Sequence, residues 1–600
     1  MGSDKVPELT TSRPAPEGKR TGGKGTASRH DPPPGRTARR RVDAPLVVVR
    51  VMIALLCVVL VVPMAGLVWA AFGPGEGFGG GELSLDNFRT VLGSSGLAGT
   101  LLRTLVLGVG SVIVMLLVAV PLAWLYARTD LRGKSVILFL AAAKMAIPGF
   151  LVALGYIFMF NPSNGIINTW WGELGGSGPL TDVYSLKWII LLQGLDFAGP
   201  AFFMLVPTLR VIDVNVEEAA AVHGIPRLRA ALQLLLPIAA PAIAGVSIFF
   251  FIVAVEVFDY AGMLGMPARI TVLSTLIYQY TQGATGSPEY GNAAAVGLGM
   301  ALGIGLIMLG YYRAMRRAGQ MATVTGKRAA REPIRLTRRG RVAGYCLIGL
   351  YALIGVVLPV LTLVWASLVP YLRPPSAEAF GELSFAAYTD AAYDLGEVLP
   401  TTLLLVAVVP TAAVAFAACA GWLVTRTTVR GRRGLDALIM MTLAVPSIVM
   451  AVSFVYVGLS AYRWLPLYGT AAFLALVVAC RFVATAYRTL HGTMLQVHGE
   501  LEEAAAVSGI RRGRAFVSVV LPVVRGSLAY AWFWIALLTI RELTITLILS
   551  SDGTDVMSTR IFGYSSAGET GLSAALGVIQ LGLITVLLIA FCRVARRQSL

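Results

Sequence analysis

Residues 217–222 read EEAAAV, and residues 502–507 read EEAAAV again. Each copy is followed by a glycine and then by a Leu-Pro pair; these residues are Gly224, Pro237, Gly509 and Pro522. The alanine-rich run favours a short helix, the glycine permits a sharp turn, and the proline suits the first turn of the next helix. The sequence therefore predicts the same helix-turn-helix element twice.

The duplication extends outward from these elements over most of the chain. The tetrapeptide GELS at 81–84 recurs at 381–384. Further matches join Trp124, Arg128, Thr129, Arg132 and Gly133 to Trp422, Arg426, Thr427, Arg430 and Gly431. A repeat on this scale indicates two copies of one structural unit in tandem.

Apolar stretches of about 20 residues flank the duplicated elements, which is the length that crosses a bilayer as a helix. Twelve such stretches are present, near 45–72, 101–127, 135–160, 187–210, 238–262, 294–316, 342–369, 398–425, 435–461, 470–490, 523–550 and 572–594. We therefore predict an all-α polytopic membrane protein with twelve transmembrane helices in two tandem six-helix halves. Because six is even, both halves run in the same direction, an arrangement typical of transporters.

Basic residues cluster beside the apolar stretches. Ten lie in the first 43 residues and ten between Arg313 and Arg341, and three more close the chain. The positive-inside rule puts such flanks in the cytoplasm, together with both termini. We predict a basic disordered cytoplasmic tail (1–43), a first half (44–316), a basic cytoplasmic linker (317–341) and a second half (342–600).

The composition excludes several protein classes. The chain is 56% hydrophobic and only 14% charged, whereas soluble domains are about 25% charged. Its five cysteines show no CxxC spacing. The basic residues behind the net charge of +17 cluster beside the apolar stretches, as the positive-inside rule predicts. We therefore expect no nucleic acid partner. A soluble enzyme, a disulfide scaffold and a disordered protein are all excluded.

No catalytic or metal-binding constellation is apparent, and we expect no enzyme activity. The segment from Gly18 to Lys24 begins like a phosphate loop, but Gly25 stands where Ser or Thr would hold magnesium. We therefore expect the chain to bind no nucleotide.

The duplicated element resembles the EAA loop of binding-protein-dependent ABC importer permeases. The resemblance implies that a short coupling helix docks on an ATP-hydrolysing subunit, with two copies of that subunit, and that an extracytoplasmic binding protein delivers the cargo. ATP and magnesium would then be bound by the partner subunits. The implied ATPase-coupling residues are Glu218, Ala219, Ala220, Gly224, Pro237, Glu503, Ala504, Ala505, Gly509 and Pro522.

Ionisable residues within the apolar stretches are costly to bury and mark functional candidates. Besides Lys144, the candidates for a translocation path or for intramembrane charge pairs are Asp196, Glu256, Asp259, Arg481, Arg541 and Glu542. At the repeat offset, Asp196 aligns with Arg481, and Glu256 aligns with Arg541. Opposite charges at equivalent positions predict pairing across the axis between the halves. An interdomain lock and a role in substrate passage both fit this pattern.

The segments 255–262 and 541–547 are similar to the corresponding regions of ferric-iron type permeases, a group that includes thiamine and aminoethylphosphonate relatives. This resemblance implies an importer of ferric iron in the cytoplasmic membrane of a bacterium. Thiamine, aminoethylphosphonate or polyamine cargo remains an alternative. A different class also remains open: an ion-coupled secondary transporter that uses Asp196, Glu256 and Glu542 as proton sites.

Overall fold

The computed structural model describes residues 44–73, 82–211, 222–224, 229, 233–234, 236–283, 287–319, 333–429 and 431–598. The predicted tail 1–43 and most of the predicted linker lie outside these residues. We call the two copies of the duplicated element, 217–237 and 502–522, the first and second coupling elements. Glu218, Ala219 and Ala220 of the first coupling element also lie outside the described residues.

Helices make up the architecture throughout the described ranges, where the only β-structure is one bridge between Thr129 and Ile334. The first half contains α1 (Ala44–Phe72), α2 (Asp86–Gly93), α3 (Leu97–Arg128), α4 (Lys134–Ala146), α5 (Gly149–Phe160), α6 (Ile166–Glu173), α7 (Leu186–Val211), α8 (Leu236–Glu256), α9 (Leu273–Gln282) and α10 (Tyr290–Gly319). The next helices are α11 (Arg338–Ala352), α12 (Leu358–Leu368), α13 (Ala377–Gly381), α14 (Ala386–Arg426), α15 (Arg432–Met441), α16 (Ser447–Ala461) and α17 (Ala471–Gln496). The last are α18 (Glu500–Val507), α19 (Arg512–Ala515), α20 (Leu521–Val523), α21 (Arg525–Ile540), α22 (Thr544–Leu549), α23 (Met557–Ala567) and α24 (Thr570–Gln598). The prediction of an all-α polytopic membrane protein is confirmed.

Nine helices in the described residues are long and apolar enough to cross a membrane, or up to eleven if each of two bent pairs is one span. The predicted stretch 435–461 contains α15 and α16, and α16 has only 15 residues. That is short of the roughly 20 residues that cross a bilayer. The structure therefore supports nine to eleven spans, and the count of twelve and the division into halves stay predictions.

Several predicted continuous spans are interrupted, two of them by clear breaks. The stretch 135–160 bends by 92° between α4 and α5, where Pro148 precedes Gly149. Proline has no amide proton and clashes with the preceding helical turn, so α4 ends before it. The stretch 523–550 also breaks, because α21 ends at Ile540. These interruptions place non-helical backbone inside the bundle, which is tolerated in membranes only where protein or a cavity covers it.

The first helix of each half packs on the other half as well as on its own. The helix α1 contacts α10 of its own half and α16 of the second half. The helix α12 contacts α24 of its own half and α5 of the first half. The approach of α12 to α5 is close, because a Cβ at Gly155 would lie 2.7 Å from the Pro359 carbonyl oxygen. Each half is therefore held by a helix of its partner.

The end of the linker is fixed to the loop after α3. The Ile334 amide donates to the Arg128 carbonyl (2.8 Å), and the Asp130 amide donates to the Ile334 carbonyl (2.9 Å). The Asp130 carboxylate accepts from the Leu336 amide (2.8 Å) and pairs with Arg341 at 3.5 Å. We call this set of contacts the linker clasp. It ties the entry into α11 to the first half.

Candidate translocation cavity and coupling elements

A cavity of about 480 Å³ is lined by residues of both predicted halves, 44–316 and 342–600, next to the interrupted helices. All six predicted intramembrane path residues line it: Asp196, Glu256, Asp259, Arg481, Arg541 and Glu542. Aromatic side chains form much of the remaining wall, among them Phe197, Phe203, Phe249, Phe250, Phe482 and Trp534. An apolar wall with a few convergent charged groups is typical of a small-molecule or ion site.

One ion pair crosses the cavity between α8 and α17. Arg481 pairs with Glu256, and the Ser447 hydroxyl donates to the same Glu256 oxygen at 3.1 Å. Both charged side chains are mostly buried. Arg481 also donates to the Val445 carbonyl at 3.4 Å, just before the break at the start of α16. A guanidinium with several acceptors is well suited to a buried pair, since its planar donors are fixed in space.

A second set of charges surrounds Asp196 on α7. The ammonium of Lys144, which is fully buried, lies 2.7 Å from one Asp196 oxygen. Arg541 lies 3.9 Å from the other oxygen and donates to the carbonyl of Met145. That carbonyl belongs to the last turn of α4, where helix ends leave acceptors without partners. Asp196 is thus bound from its own half and from the other half.

The two remaining carboxylates of the cavity, Asp259 and Glu542, have different surroundings from Glu256 and Asp196. Among the described residues, neither Asp259 nor Glu542 has a basic partner within ion-pair distance. Glu542 accepts from the backbone amide of Ile545 at 3.0 Å. Both side chains are partly exposed to the cavity. The cavity therefore presents two unpaired carboxylates beside two satisfied ion pairs.

Several groups that complete this site are not identified by the sequence alone. Ser447 and the carbonyls of Met145 and Val445 hold the charged side chains. Pro148 and the equivalent Pro446 are the only local signal, because a proline within an apolar stretch can release nearby carbonyls. Within the described chain, no cluster of three or more His, Cys, Asp or Glu residues could hold a metal ion.

The second coupling element lies at one end of the bundle, near the ends of α14 and α17. Its helix α18 ends at a turn in which Gly509 has φ +75°. The Gly509 and Ile510 amides donate to the Ala506 and Ala505 carbonyls, at 3.0 and 2.9 Å. A positive φ is favourable for glycine and strained for other residues. The predicted sharp turn thus has its physical basis in Gly509.

One face of this element is open to solvent. Glu503 and Ala504 are exposed, and Val507 is 91% exposed, whereas Ala505 is buried against the bundle. Pro522 lies in the short helix α20 that follows. The open face of α18 therefore presents Glu503, Ala504 and Val507 to solvent.

The described residues of the first coupling element have the same conformation and exposure as their equivalents in the second. Gly224 has φ +70°, Val222 is 85% exposed, and Pro237 lies in the first turn of α8. The positions match Gly509, Val507 and Pro522 in the repeat. The two elements thus share the glycine turn and the exposed valine.

Comparison with known proteins gives a family match in the second half. Residues 413–599 match the family described as binding-protein-dependent transport system inner membrane component. The chain is 27% identical over 250 residues to the putative 2-aminoethylphosphonate transport system permease protein PhnU of Salmonella typhimurium, covering 40% of this chain and 82% of that protein. It is 22% identical over 473 residues to the ferric transport system permease protein FbpB of Actinobacillus pleuropneumoniae, covering 77% and 66% respectively.

A solved structure is also similar: the crystal structure of a bacterial alginate ABC transporter in complex with an alginate pentasaccharide-bound periplasmic protein. The TM-score is 0.37 at 21% identity, over 46% of this chain and 94% of that chain. The permease family match, the two permease relatives and the bundle of apolar helices agree with one another. Residues 413–599 thus carry the domain of a binding-protein-dependent transport system inner membrane component.

Proposed function

We propose that this chain is the fused transmembrane subunit of an ATP-driven importer, with ferric iron as its cargo. The observation that carries the transport role is the pair of equivalent coupling elements, each with a left-handed glycine turn and an exposed valine. Two copies of an ATPase subunit would dock on these elements, one on each. ATP and magnesium would be bound by those subunits, and both termini of this chain would lie in the cytoplasm.

The choice of ferric iron is supported by the length of the alignment and by the cavity. The similarity to the ferric permease extends over 77% of this chain, whereas the similarity to the aminoethylphosphonate permease extends over 40%. The unpaired carboxylates of Asp259 and Glu542 supply oxygen atoms, the ligand type that hard cations prefer. An extracytoplasmic binding protein would deliver the ion to the cavity.

The transport cycle follows from the position of the cavity between the halves. The pairs Glu256–Arg481 and Asp196–Arg541 each join one half to the other. Closure of the ATPase subunits would move the coupling elements and rock the halves about these contacts. The cavity would then open alternately to the two sides of the membrane, as in other transporters with parallel repeats.

The test is uptake of radiolabelled ferric iron in cells with the chain, without it, and with the variant Gly509→Pro. Proline cannot adopt φ +75° and cannot donate the hydrogen bond to Ala506, so the second coupling turn is lost. We expect iron uptake to fall to the background of the deletion strain. Full uptake with Gly509→Pro would contradict the docking role.

A matched control is available at the opposite end of the bundle. Gly568 ends α23 with φ +83°, and its amide and that of Glu569 donate to the Ser565 and Tyr564 carbonyls in the same pattern. Gly568→Pro creates the same backbone defect away from the ATPase side. We expect it to keep the ATPase activity that co-purifies with the tagged chain, and Gly509→Pro to lose it.

Aminoethylphosphonate is a second candidate cargo, because two guanidiniums line the cavity and guanidinium binds phosphonate-type oxyanions well. Uptake of labelled aminoethylphosphonate is measured in the same strains. Loss of that uptake in the deletion strain, with iron uptake unchanged, would replace the iron assignment and leave the importer class intact. Transport by the purified chain on a proton gradient, without an ATPase, would instead favour the secondary transporter.

A further inference from the structure

Glu502 stands directly before the EAA residues of the second coupling element, and its side chain points into the bundle. One oxygen accepts from the Trp422 indole at 2.8 Å, and the other lies 3.6 Å from Nε of Arg426. Trp422 and Arg426 are four residues apart on α14, so they occupy one face of that helix. The coupling helix is therefore bound to the end of α14 through a single carboxylate.

Arg426 extends these contacts to a third helix. Its guanidinium donates to the Met494 carbonyl at 2.9 Å and to the Val497 carbonyl, both at the end of α17. The indole of Trp422 is buried and lies 4.9 Å from the ring of Phe516, which follows the coupling turn. Hydrogen bonds that involve a charged group are about twice as strong as neutral ones. The side chains of Arg426 and Glu502 are mostly buried, so their hydrogen bonds are largely shielded from solvent.

Neighbouring glutamates on this helix thus face opposite ways. Glu503 is exposed on the open surface beside Val507, while Glu502 is about one-fifth exposed and is held against the bundle. A partner that docks on the open surface contacts Glu503 and leaves Glu502 to the internal contacts. The two residues can therefore be tested against each other.

The repeat shows one of these contacts, the one from the arginine to a carbonyl, in the first half as well. Trp124 and Arg128 occupy the positions of Trp422 and Arg426, and Arg128 donates to the Leu209 carbonyl at 3.4 Å, where Leu209 is equivalent to Met494. The residue equivalent to Glu502 is Glu217, which lies outside the described residues. Within the described chain, the buried Trp124 indole nitrogen has no acceptor.

We propose that Glu502 is a positioning residue that transmits movement of the coupling helix to α14 and α17. This inference rests on the proposed function, since it specifies how the docked ATPase acts on the helices around the cavity. Glu502 does so by holding Trp422 and Arg426, without touching the ATPase.

The test compares Glu502→Ala with Glu503→Ala in the full chain, purified with its co-purifying ATPase and reconstituted with its binding protein and with labelled ferric iron as the probe. We expect Glu502→Ala to keep the co-purified ATPase while the iron transported per ATP hydrolysed falls at least tenfold. Glu502→Gln, which keeps an acceptor for Trp422, should lose less. We expect Glu503→Ala to reduce the co-purified ATPase itself.

A second measurement needs neither ATPase nor cargo. In the chain alone in lipid nanodiscs, Glu502→Ala should raise backbone amide exchange in 500–507 several-fold, and Glu503→Ala should leave it unchanged. Equal exchange in the two variants, or loss of the ATPase from Glu502→Ala, would overturn the positioning role. Absence of any co-purified ATPase from the unaltered chain would instead contradict the proposed function, and the exchange measurement would still decide the role of Glu502.

Discussion

The two halves carry opposite charges at equivalent positions around the cavity. Asp196 and Glu256 of the first half correspond to Arg481 and Arg541 of the second. Each pair joins a first-half carboxylate to a second-half guanidinium that is not its own equivalent. Two identical halves would place like charges at these four positions, which is unfavourable in a site shielded from water. The difference shows that the charges of the two halves are complementary, so that each half supplies partners for the buried charges of the other.

The two first-half carboxylates, Glu256 and Asp196, do not have the same kinds of partner. Glu256 has one cation and the Ser447 hydroxyl, whereas Asp196 has two cations, Lys144 and Arg541. The residue equivalent to Lys144 is Thr442. The pair at Glu256 is thus the one that depends most on a single partner, and it should be the most sensitive to substitution.

The largest effect is expected for charge reversal at that pair. Glu256→Arg places two guanidiniums together at a buried position, where loss of one partner of an ion pair costs about 3–5 kcal/mol. We expect the detergent-solubilised chain to unfold at a clearly lower temperature, as followed by its size-exclusion profile after heating. The double variant Glu256→Arg with Arg481→Glu should recover much of the loss.

The control is Glu378→Arg, which reverses an exposed charge on α13. It should leave the unfolding temperature nearly unchanged, because exposed charges interact weakly. If the control and Glu256→Arg lower the temperature equally, or if the double variant recovers nothing, the two halves are not held together by this pair.

The sequence predicts the charged residues of the cavity better than it predicts how they are held. The repeat brings Asp196, Glu256, Arg481 and Arg541 together, because equivalent positions on a duplicated fold lie around one axis. The carbonyls that bind the arginines depend on where the helices break. A proline is compatible with a kink or with a full break, so the sequence does not distinguish the 92° bend at Pro148 from a continuous span.

The next effect is expected at Asp196. Lys144→Met removes the buried ammonium and leaves Asp196 with Arg541 at 3.9 Å. A buried polar group that loses its hydrogen-bond partner costs about 1–3 kcal/mol and a charged group costs more, but Asp196 keeps Arg541 as a second cation. We expect a smaller decrease in unfolding temperature than for Glu256→Arg, measured in the same way. Asp196→Leu alone, which leaves the buried ammonium of Lys144 without its carboxylate, should lower the unfolding temperature more than Lys144→Met with Asp196→Leu; an equal or larger decrease in the double variant would mean that Lys144 is not the main partner of Asp196.

A smaller effect is expected at Ser447, whose equivalent in the first half is Gly149. Ser447→Ala removes the hydrogen bond to Glu256 but leaves the ion pair with Arg481, which predicts a cost of about 1 kcal/mol. At Gly149 a side chain would be crowded, because a Cβ would lie 3.0 Å from an Asp259 carboxylate oxygen and 3.0 Å from the Tyr260 ring. Gly149→Ser should therefore destabilise the chain by crowding. A stabilising Gly149→Ser would show that the halves tolerate the same residue at this position.

The smallest effect is expected at the linker clasp, where Asp130 is matched in the second half by Thr428. The hydrogen bond from the Leu336 amide, together with the nearby Arg341 and Arg335, lowers the pKa of Asp130 below its ordinary value of 3.8. A lowered pKa means that the carboxylate stabilises the clasp above the ordinary pKa and that this contribution is lost as the pH falls through the lowered value. The clasp should therefore be insensitive to pH near neutrality and weaken only in acid below about pH 4.

Asp130→Thr makes the first half resemble the second and removes the ion pair with Arg341. We expect several-fold faster amide exchange in 334–337 at neutral pH, with little change in the unfolding temperature, because the clasp lies outside the helix bundle and is partly exposed. Asp130→Asn retains an acceptor for the Leu336 amide and should change exchange less than Asp130→Thr. If both variants exchange like the unaltered chain, the backbone bridge between Thr129 and Ile334 holds the linker without the carboxylate. The difference between the halves at this position would then have no energetic consequence, in contrast to the difference at the cavity.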